Sequence, residues 1–301
     1  MNTFVQEIGL YLRMIKFSHS VFALPFALTG ALLAASGIPS SRQIFWIVVA
    51  MLGARTGAMG LNRIVDRKID KKNPRTQGRE IPSGKIRLRD AAIFTAISLV
   101  VFISAAYNLN SLCVRLSPLA ILVLILYSYT KRFTWMSHFV LGTAISFAPL
   151  GAWIAVRGTF DMRILPLSIA VIFWLAGFDV LYALQDMEFD RMHGLFSIPQ
   201  KFGPKKALTI ARLCHGLALL FLIATGLLFD RGVFYWGGMV TITALFLREH
   251  SLVKPDDLSK LNMAFFNMNG YISMTVFCFT LMDFLIWPLA CFAFPASLLL
   301  S

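Results

Sequence analysis

The chain has 301 residues, is 57% hydrophobic and only 14% charged, and carries a formal net charge of +13. Soluble domains are nearer a quarter charged, so this balance excludes a soluble globular protein and predicts an all-α, polytopic membrane protein. The basic residues follow the ends of apolar segments and form no separate domain with interleaved aromatics, which argues against nucleic acid as a partner and suits anionic lipid head groups.

In chain order, the first 16 residues mix Glu7, Arg13 and Lys16 with apolar positions, and the apolar segment behind them is too long for a cleavable signal peptide. Nine helices are predicted, near 17–37, 43–61, 91–108, 112–129, 136–156, 163–183, 207–228, 232–247 and 263–283. A spanning helix needs about 20 apolar residues, which leaves the eighth short. The tail 284–301 is apolar but holds Pro288 and Pro295, so it is expected to pack on the bundle or lie at the interface. No soluble block interrupts the series, and residues 1–301 read as a single integral-membrane domain.

Basic residues set the orientation. Of the 28 Lys and Arg, 21 fall on one side of the predicted bundle and five on the other. The basic side, with the N-terminus, is then cytoplasmic, in the inner (cytoplasmic) membrane, and nine spans put the C-terminus outside.

The second predicted helix ends on Asn62, Asp66 and Asp70, in the pattern N-x-x-x-D-x-x-x-D. The sixth ends on Asp186 and Asp190, a D-x-x-x-D placed 120 positions after the first. Carboxylates at i, i+4 share a helix face. Each motif is followed by a long basic-side loop and two closely linked helices. The chain therefore reads as two parallel four-helix units, about 10–130 and 131–250, with the ninth helix as an extra. That repeat brings both aspartate pairs to one face. Mg²⁺ takes oxygen ligands and is often held by one or two carboxylates plus substrate phosphates. Asp66, Asp70, Asp186 and Asp190 are its candidate ligands, and Asn62 adds a neutral donor one turn away.

Basic residues crowd the first motif. Arg63 and Arg67 lie within it, and Arg75 and Arg79 stand in a loop punctuated by Pro74, Gly78, Pro82 and Gly84. Such side chains suit phosphate forks, and Lys131 approaches from the next loop. Two charges lie deeper. Arg55 is two helical turns before Asn62, and Asp179 is two turns before Asp186 with Tyr182 between them. Ionisable groups at membrane depth usually face a polar cavity. Either Arg55 and Asp179 pair with each other, or Arg55 grips an acceptor carboxylate while Asp179 or Tyr182 orients the acceptor or takes its proton. The four cysteines and five histidines are scattered without metal-ligand spacing, and the cysteines read as packing residues.

This motif set resembles the UbiA superfamily of intramembrane aromatic prenyltransferases. The matching runs are N-x-x-x-D-x-x-x-D at 62–70, R-T-x-x-R at 75–79 followed by Pro82-Ser83-Gly84, and D-x-x-Y-A-x-x-D-x-x-x-D at 179–190. The segments FSHSVFALPF at 17–26, APLGAWIAV at 148–156 and GLFSIP at 194–199 are similar to the 4-hydroxybenzoate polyprenyltransferase-like branch. That branch includes enzymes of the futalosine menaquinone route, which prenylate 1,4-dihydroxy-6-naphthoate. Glu80 departs from the Pro that many relatives carry there. The resemblance implies Mg²⁺ on the two aspartate pairs, a polyprenyl diphosphate donor and a small aromatic acid as acceptor. It implies ionisation of the donor and electrophilic substitution of the ring, in ubiquinone or menaquinone biosynthesis; a protein partner is not implied. Haem, chlorophyll or lipid prenyl transfer is a neighbouring reading that Arg55 disfavours. An ion-coupled transporter would carry its acids on broken helices near the midplane, whereas these motifs sit at the helix ends.

Overall fold

The computed structural model describes residues 3–16, 20–254, 261 and 267–293. Parts of the first and ninth predicted helices (17–19 and 263–266) and the end of the apolar tail (294–301) lie outside the described residues.

A short helix, α1 (Thr3–Met14), precedes the bundle and was not predicted. Its apolar side docks Met14 and Ile15 against Ile86 and Ala91, and Tyr11 meets Phe94 with ring centroids 4.8 Å apart. The first long helix is α2 (Ser20–Ala35). The next, α3 (Ser41–Lys72), is the longest among the described residues. Ser40 starts it with a capping box. Ser40 Oγ accepts from the Gln43 amide at 3.3 Å, and Gln43 Oε1 accepts from the Ser40 amide at 3.1 Å.

The predicted end of this helix near residue 61 is corrected. It runs through both aspartates of the first motif to Lys72 and stops at Asn73, whose backbone is extended (φ −87°, ψ 118°). Pro74 follows, and the residue before a proline is disfavoured in the α region. The motif thus sits on continuous helix, and the connecting loop is only 73–87.

Two antiparallel helices follow, α4 (Leu88–Leu109) and α5 (Ser111–Thr130), joined through Asn110. Helix α3 lies directly on α4. A Cβ at Gly53 would stand 2.8 Å from the Phe102 backbone nitrogen, and one at Gly60 would collide with Thr95 Oγ1. Small residues let membrane helices approach this closely where apolar area alone gives little drive.

The second half comprises α6 (Ser137–Arg157), α7 (Leu165–Ala183), α8 (Met187–Met192) and α9 (Ile198–Leu228). It closes with α10 (Val233–Leu252) and α11 (Asn269–Ala293). A 3₁₀ turn, Leu184–Asp186, breaks α7 from α8. The second aspartate pair therefore spans a bend, unlike the first. Helix α9 begins within the predicted loop 184–206 and kinks at Gly203, whose φ of 77° is left-handed. Helix α11 runs on through Ala293, past the start of the predicted tail.

Among the described residues seven helices are long and apolar enough to cross a membrane, and Phe22–Ala35 is a shorter apolar one. This is a multi-pass membrane protein. Its main core packs Phe26, Trp153, Trp174, Leu222, Tyr235 and Ile242 between α2, α6, α7, α9 and α10. Large apolar side chains such as Val100, Leu213, Val240 and Leu247 point outward, as a lipid-facing surface requires. Alternating helix directions bring the C-terminal ends of α3, α5 and α7 and the N-terminal ends of α6 and α9 to one face.

Candidate active site

Helical spacing on α3 aligns Asn62, Asp66 and Asp70. Asn62 Nδ2 donates to Asp66 Oδ2 at 3.1 Å. Lys131, at the end of α5, pairs with the same oxygen. Asp66 Oδ1 is buried without a hydrogen bond, and Arg132 Nη2 lies 3.6 Å from it. Arg79 Nη1 reaches both oxygens of Asp70 at 2.8 Å. Across the cavity Arg75 forks onto Asp186, with Nε donating to Oδ1 at 2.8 Å and Nη2 meeting Oδ2. Asn73 Nδ2 donates to the same Oδ1 at 3.0 Å. Arg75 Nη1 also donates to the Tyr182 hydroxyl at 2.8 Å. Ser197, the N-cap of α9, donates to Asp190 Oδ2 at 2.9 Å.

The four aspartates, with Asn62, Arg75, Arg79, Lys131 and Tyr182, line one polar cavity of about 170 Å³. These ion pairs tie the loop 73–87 to α3 and to the turn after α7, and the end of α5 to α3, around the mouth of the cavity. Among the described residues no three His, Cys, Asp or Glu side chains are grouped to hold a metal ion by themselves.

A second cavity, about 630 Å³, continues into the bundle. Its walls are mostly apolar, with small residues such as Ala50, Ala54, Ala58, Ala120, Ala144 and Gly151 opening the space and Cys113 near its far end. Asn62, Arg79, Tyr127, Asp179 and Tyr182 line both cavities and form the seam between them. Arg55 projects into the apolar chamber, and its Nε has no hydrogen-bond partner. The pairing of Arg55 with Asp179 is corrected, since Asp179 Oδ2 lies 2.7 Å from His138 Nδ1 instead.

Two other basic residues stand apart from the polar cavity. Arg63 Nε donates to the Met14 carbonyl at 3.0 Å and borders only the chamber. Arg67 lines neither cavity, because its Nη1 turns back to the Ile64 carbonyl at 2.8 Å. Lys16, over the Tyr182 ring at 5.7 Å, also borders the chamber. Burial, with the charges of Arg63, Arg79, Arg75 and Arg55 around it, pushes its amine down to about 8. Sequence reasoning missed His138, Lys16 and Ser197. The run GLFSIP at 194–199, similar to the 4-hydroxybenzoate polyprenyltransferase-like branch, was the one available signal for Ser197, and none marked the other two.

A carboxylate-and-cation mouth opening on an apolar chamber suits a charged head group with a long hydrocarbon tail. Comparison with known proteins gives the same direction. The model of the UbiA prenyltransferase family matches residues 23–272.

The chain belongs to the UbiA prenyltransferase family.

Within that family it is 30% identical to a 4-hydroxybenzoate octaprenyltransferase of Nitrosomonas eutropha, over 94% of this chain and 100% of the relative. A 4-hydroxybenzoate octaprenyltransferase of Francisella tularensis is also 30% identical, over 86% of this chain and 89% of that one. Among solved structures, a UbiA homolog from Aeropyrum pernix K1 superposes with a TM-score of 0.81 at 29% identity, covering 89% of this chain and 98% of that one. A UbiA homolog from Archaeoglobus fulgidus bound to GPP and Mg²⁺ shares the fold, with a TM-score of 0.69 at 19% identity over 90% and 99% of the two chains. This UbiA-family chain is thus a membrane-embedded prenyltransferase.

Proposed function

We propose that this enzyme transfers a polyprenyl group from a polyprenyl diphosphate to a small aromatic acid of the 4-hydroxybenzoate type, in quinone biosynthesis. The observation that carries the reading is Arg55, a cation in an apolar chamber whose Nε has no hydrogen-bond partner. An acceptor carboxylate there would satisfy it. The named relatives act on 4-hydroxybenzoate, in keeping with that grip. A bicyclic acceptor, 1,4-dihydroxy-6-naphthoate, also carries a carboxylate and is the second candidate.

Asp66, Asp70, Asp186 and Asp190 fit Mg²⁺. They offer only oxygen, Asp66 Oδ1 is a buried acceptor without a donor, and Mg²⁺ needs no cluster of three when substrate phosphates complete its shell. When bound, the ion supplies Lewis-acid stabilisation of the leaving diphosphate. Arg75, Arg79 and Lys131 stand around the same cavity to neutralise phosphate oxygens. The chamber wall keeps water from the allylic cation. Asn62 and Tyr182, on the seam, orient the reacting end of the donor, and Asp179 faces the acceptor.

We place the cavity mouth on the cytoplasmic side of the inner membrane, a reading supported by the 21 to 5 division of basic residues. We read the two halves, about 10–130 and 131–250, as pseudo-repeats. In support, α3 packs on α4 as closely as α7 packs on α9.

The test offers membranes containing the protein 4-hydroxybenzoate and 1,4-dihydroxy-6-naphthoate, each with donors of several lengths, and reads product mass. Mg²⁺-dependent prenylation of a carboxylated ring is expected, with loss on chelation. Asp66→Asn and Asp190→Asn should insert normally and lose turnover. Near-wild-type Mg²⁺-dependent rates in either variant would remove the aspartates from the metal site.

A further inference from the structure

We propose that His138 is a positioning residue, which fixes Asp179 at the seam through a neutral imidazole whose proton sits on Nδ1. The proposal rests on the acceptor reading given above and adds a residue to it.

The tautomer follows from the ring's two partners. Ile198 N–H donates to His138 Nε2 at 3.2 Å. A backbone amide only donates, so Nε2 carries a lone pair. The proton of the neutral ring is then on Nδ1, where it donates to Asp179 Oδ2 at 2.7 Å. This is the arrangement in which one ring nitrogen is set by the bond the other makes. The imidazole is 3% exposed and is gripped from two separate elements, α7 through Asp179 and the first turn of α9 through Ile198.

The pair holds one Asp179 oxygen and leaves the carboxylate facing the seam, where its side chain keeps 24% exposure. A carboxylate fixed there accepts a hydrogen bond from the ring hydroxyl of a phenolic acid whose carboxylate lies toward Arg55. That bond raises electron density on the ring carbon that meets the prenyl group. His138 touches neither substrate in this arrangement and acts only through Asp179. The donor side is tied to the same turn, because Ser197, the residue before Ile198, holds Asp190.

Asparagine places its amide nitrogen close to the position of Nδ1, whereas glutamine reaches toward that of Nε2. Hydrogen bonds to charged groups are worth enough that losing this one should lower kcat by roughly 10- to 100-fold. His138→Leu and His138→Gln are expected to show that loss with the donor KM unchanged. His138→Asn should recover kcat to within about threefold, a rescue that a purely structural role does not predict. In an Asp179→Asn background, His138→Leu should cost less than about twofold more, since residues acting as a unit are non-additive. The proposal is overturned by an unchanged kcat in His138→Leu, by equal losses in the Asn and Leu variants, or by additive losses in the double variant. Wild-type protein inert toward every carboxylated phenol would instead remove the acceptor reading, and this inference with it.

Discussion

Arg55 and Lys16 border one chamber but differ in how their charge is set. Arg55 brings a guanidinium into an apolar wall, so its environment must supply an anion. Arg55→Ala is expected to raise the acceptor KM by about 10-fold or more, the scale of one charge-assisted hydrogen bond, with the donor KM kept. An unchanged acceptor KM in steady-state assays would take Arg55 out of the acceptor pocket. Lys16 is different because its amine is held down to about 8 by burial and neighbouring guanidinium groups. A lowered value favours the neutral amine, and a bound diphosphate favours the charged one. Donor affinity should therefore be full below pH 8 and weaken as pH rises through it, and Lys16→Met should flatten that dependence of donor KM on pH. The aspartates were legible in the sequence because i, i+4 spacing is a local property. His138 was not, because its partners lie 41 and 60 positions away and nothing nearby marks it. Arg67 misled for the converse reason: it has the right spacing, but its guanidinium bonds its own helix.

Helix existence was readable from apolar runs, and helix ends were not. The charged stretch 62–72 looked like loop, yet its charges stay helical because Asp66 and Asp70 find cations on α5 and in the loop 73–87. Helix α10 was read five residues short, since Arg248 and Glu249 mark a boundary by hydropathy while Glu249 is in fact fully buried. Helix α1 is too short to announce itself by apolar length. What joins these elements is close approach. Gly53 lies against backbone of α4 with no room for a side chain, so Gly53→Leu should separate α3 from α4. Overpacking costs about 1–3 kcal/mol, and a thermal midpoint in detergent several degrees lower is expected. A midpoint equal to wild type would show that the α3–α4 contact yields easily.

At the scale of the molecule, composition announced a membrane protein and the paired motifs announced a single charged mouth. The chamber behind that mouth was invisible, because it is made by small residues drawn from several helices and no single segment carries it. Its shape leads to a further expectation. Ala120→Trp narrows the chamber wall on α5 and should shorten the longest donor that is turned over while leaving short donors in use. Product lengths from a mixed-donor assay check this, and an unchanged distribution would route the tail elsewhere.

The unbroken run of α3 has a consequence for how this enzyme can vary. Arg55 and Asp66 ride one rigid rod, eleven residues and therefore about 16 Å apart along its axis. On the proposed function, that spacing is a ruler between the end that would grip the acceptor and the end that would release diphosphate. It cannot be adjusted in small steps, because adding or removing one residue turns everything beyond it by about 100°. New acceptors must be accommodated by exchanging side chains along the ruler, never by changing its length.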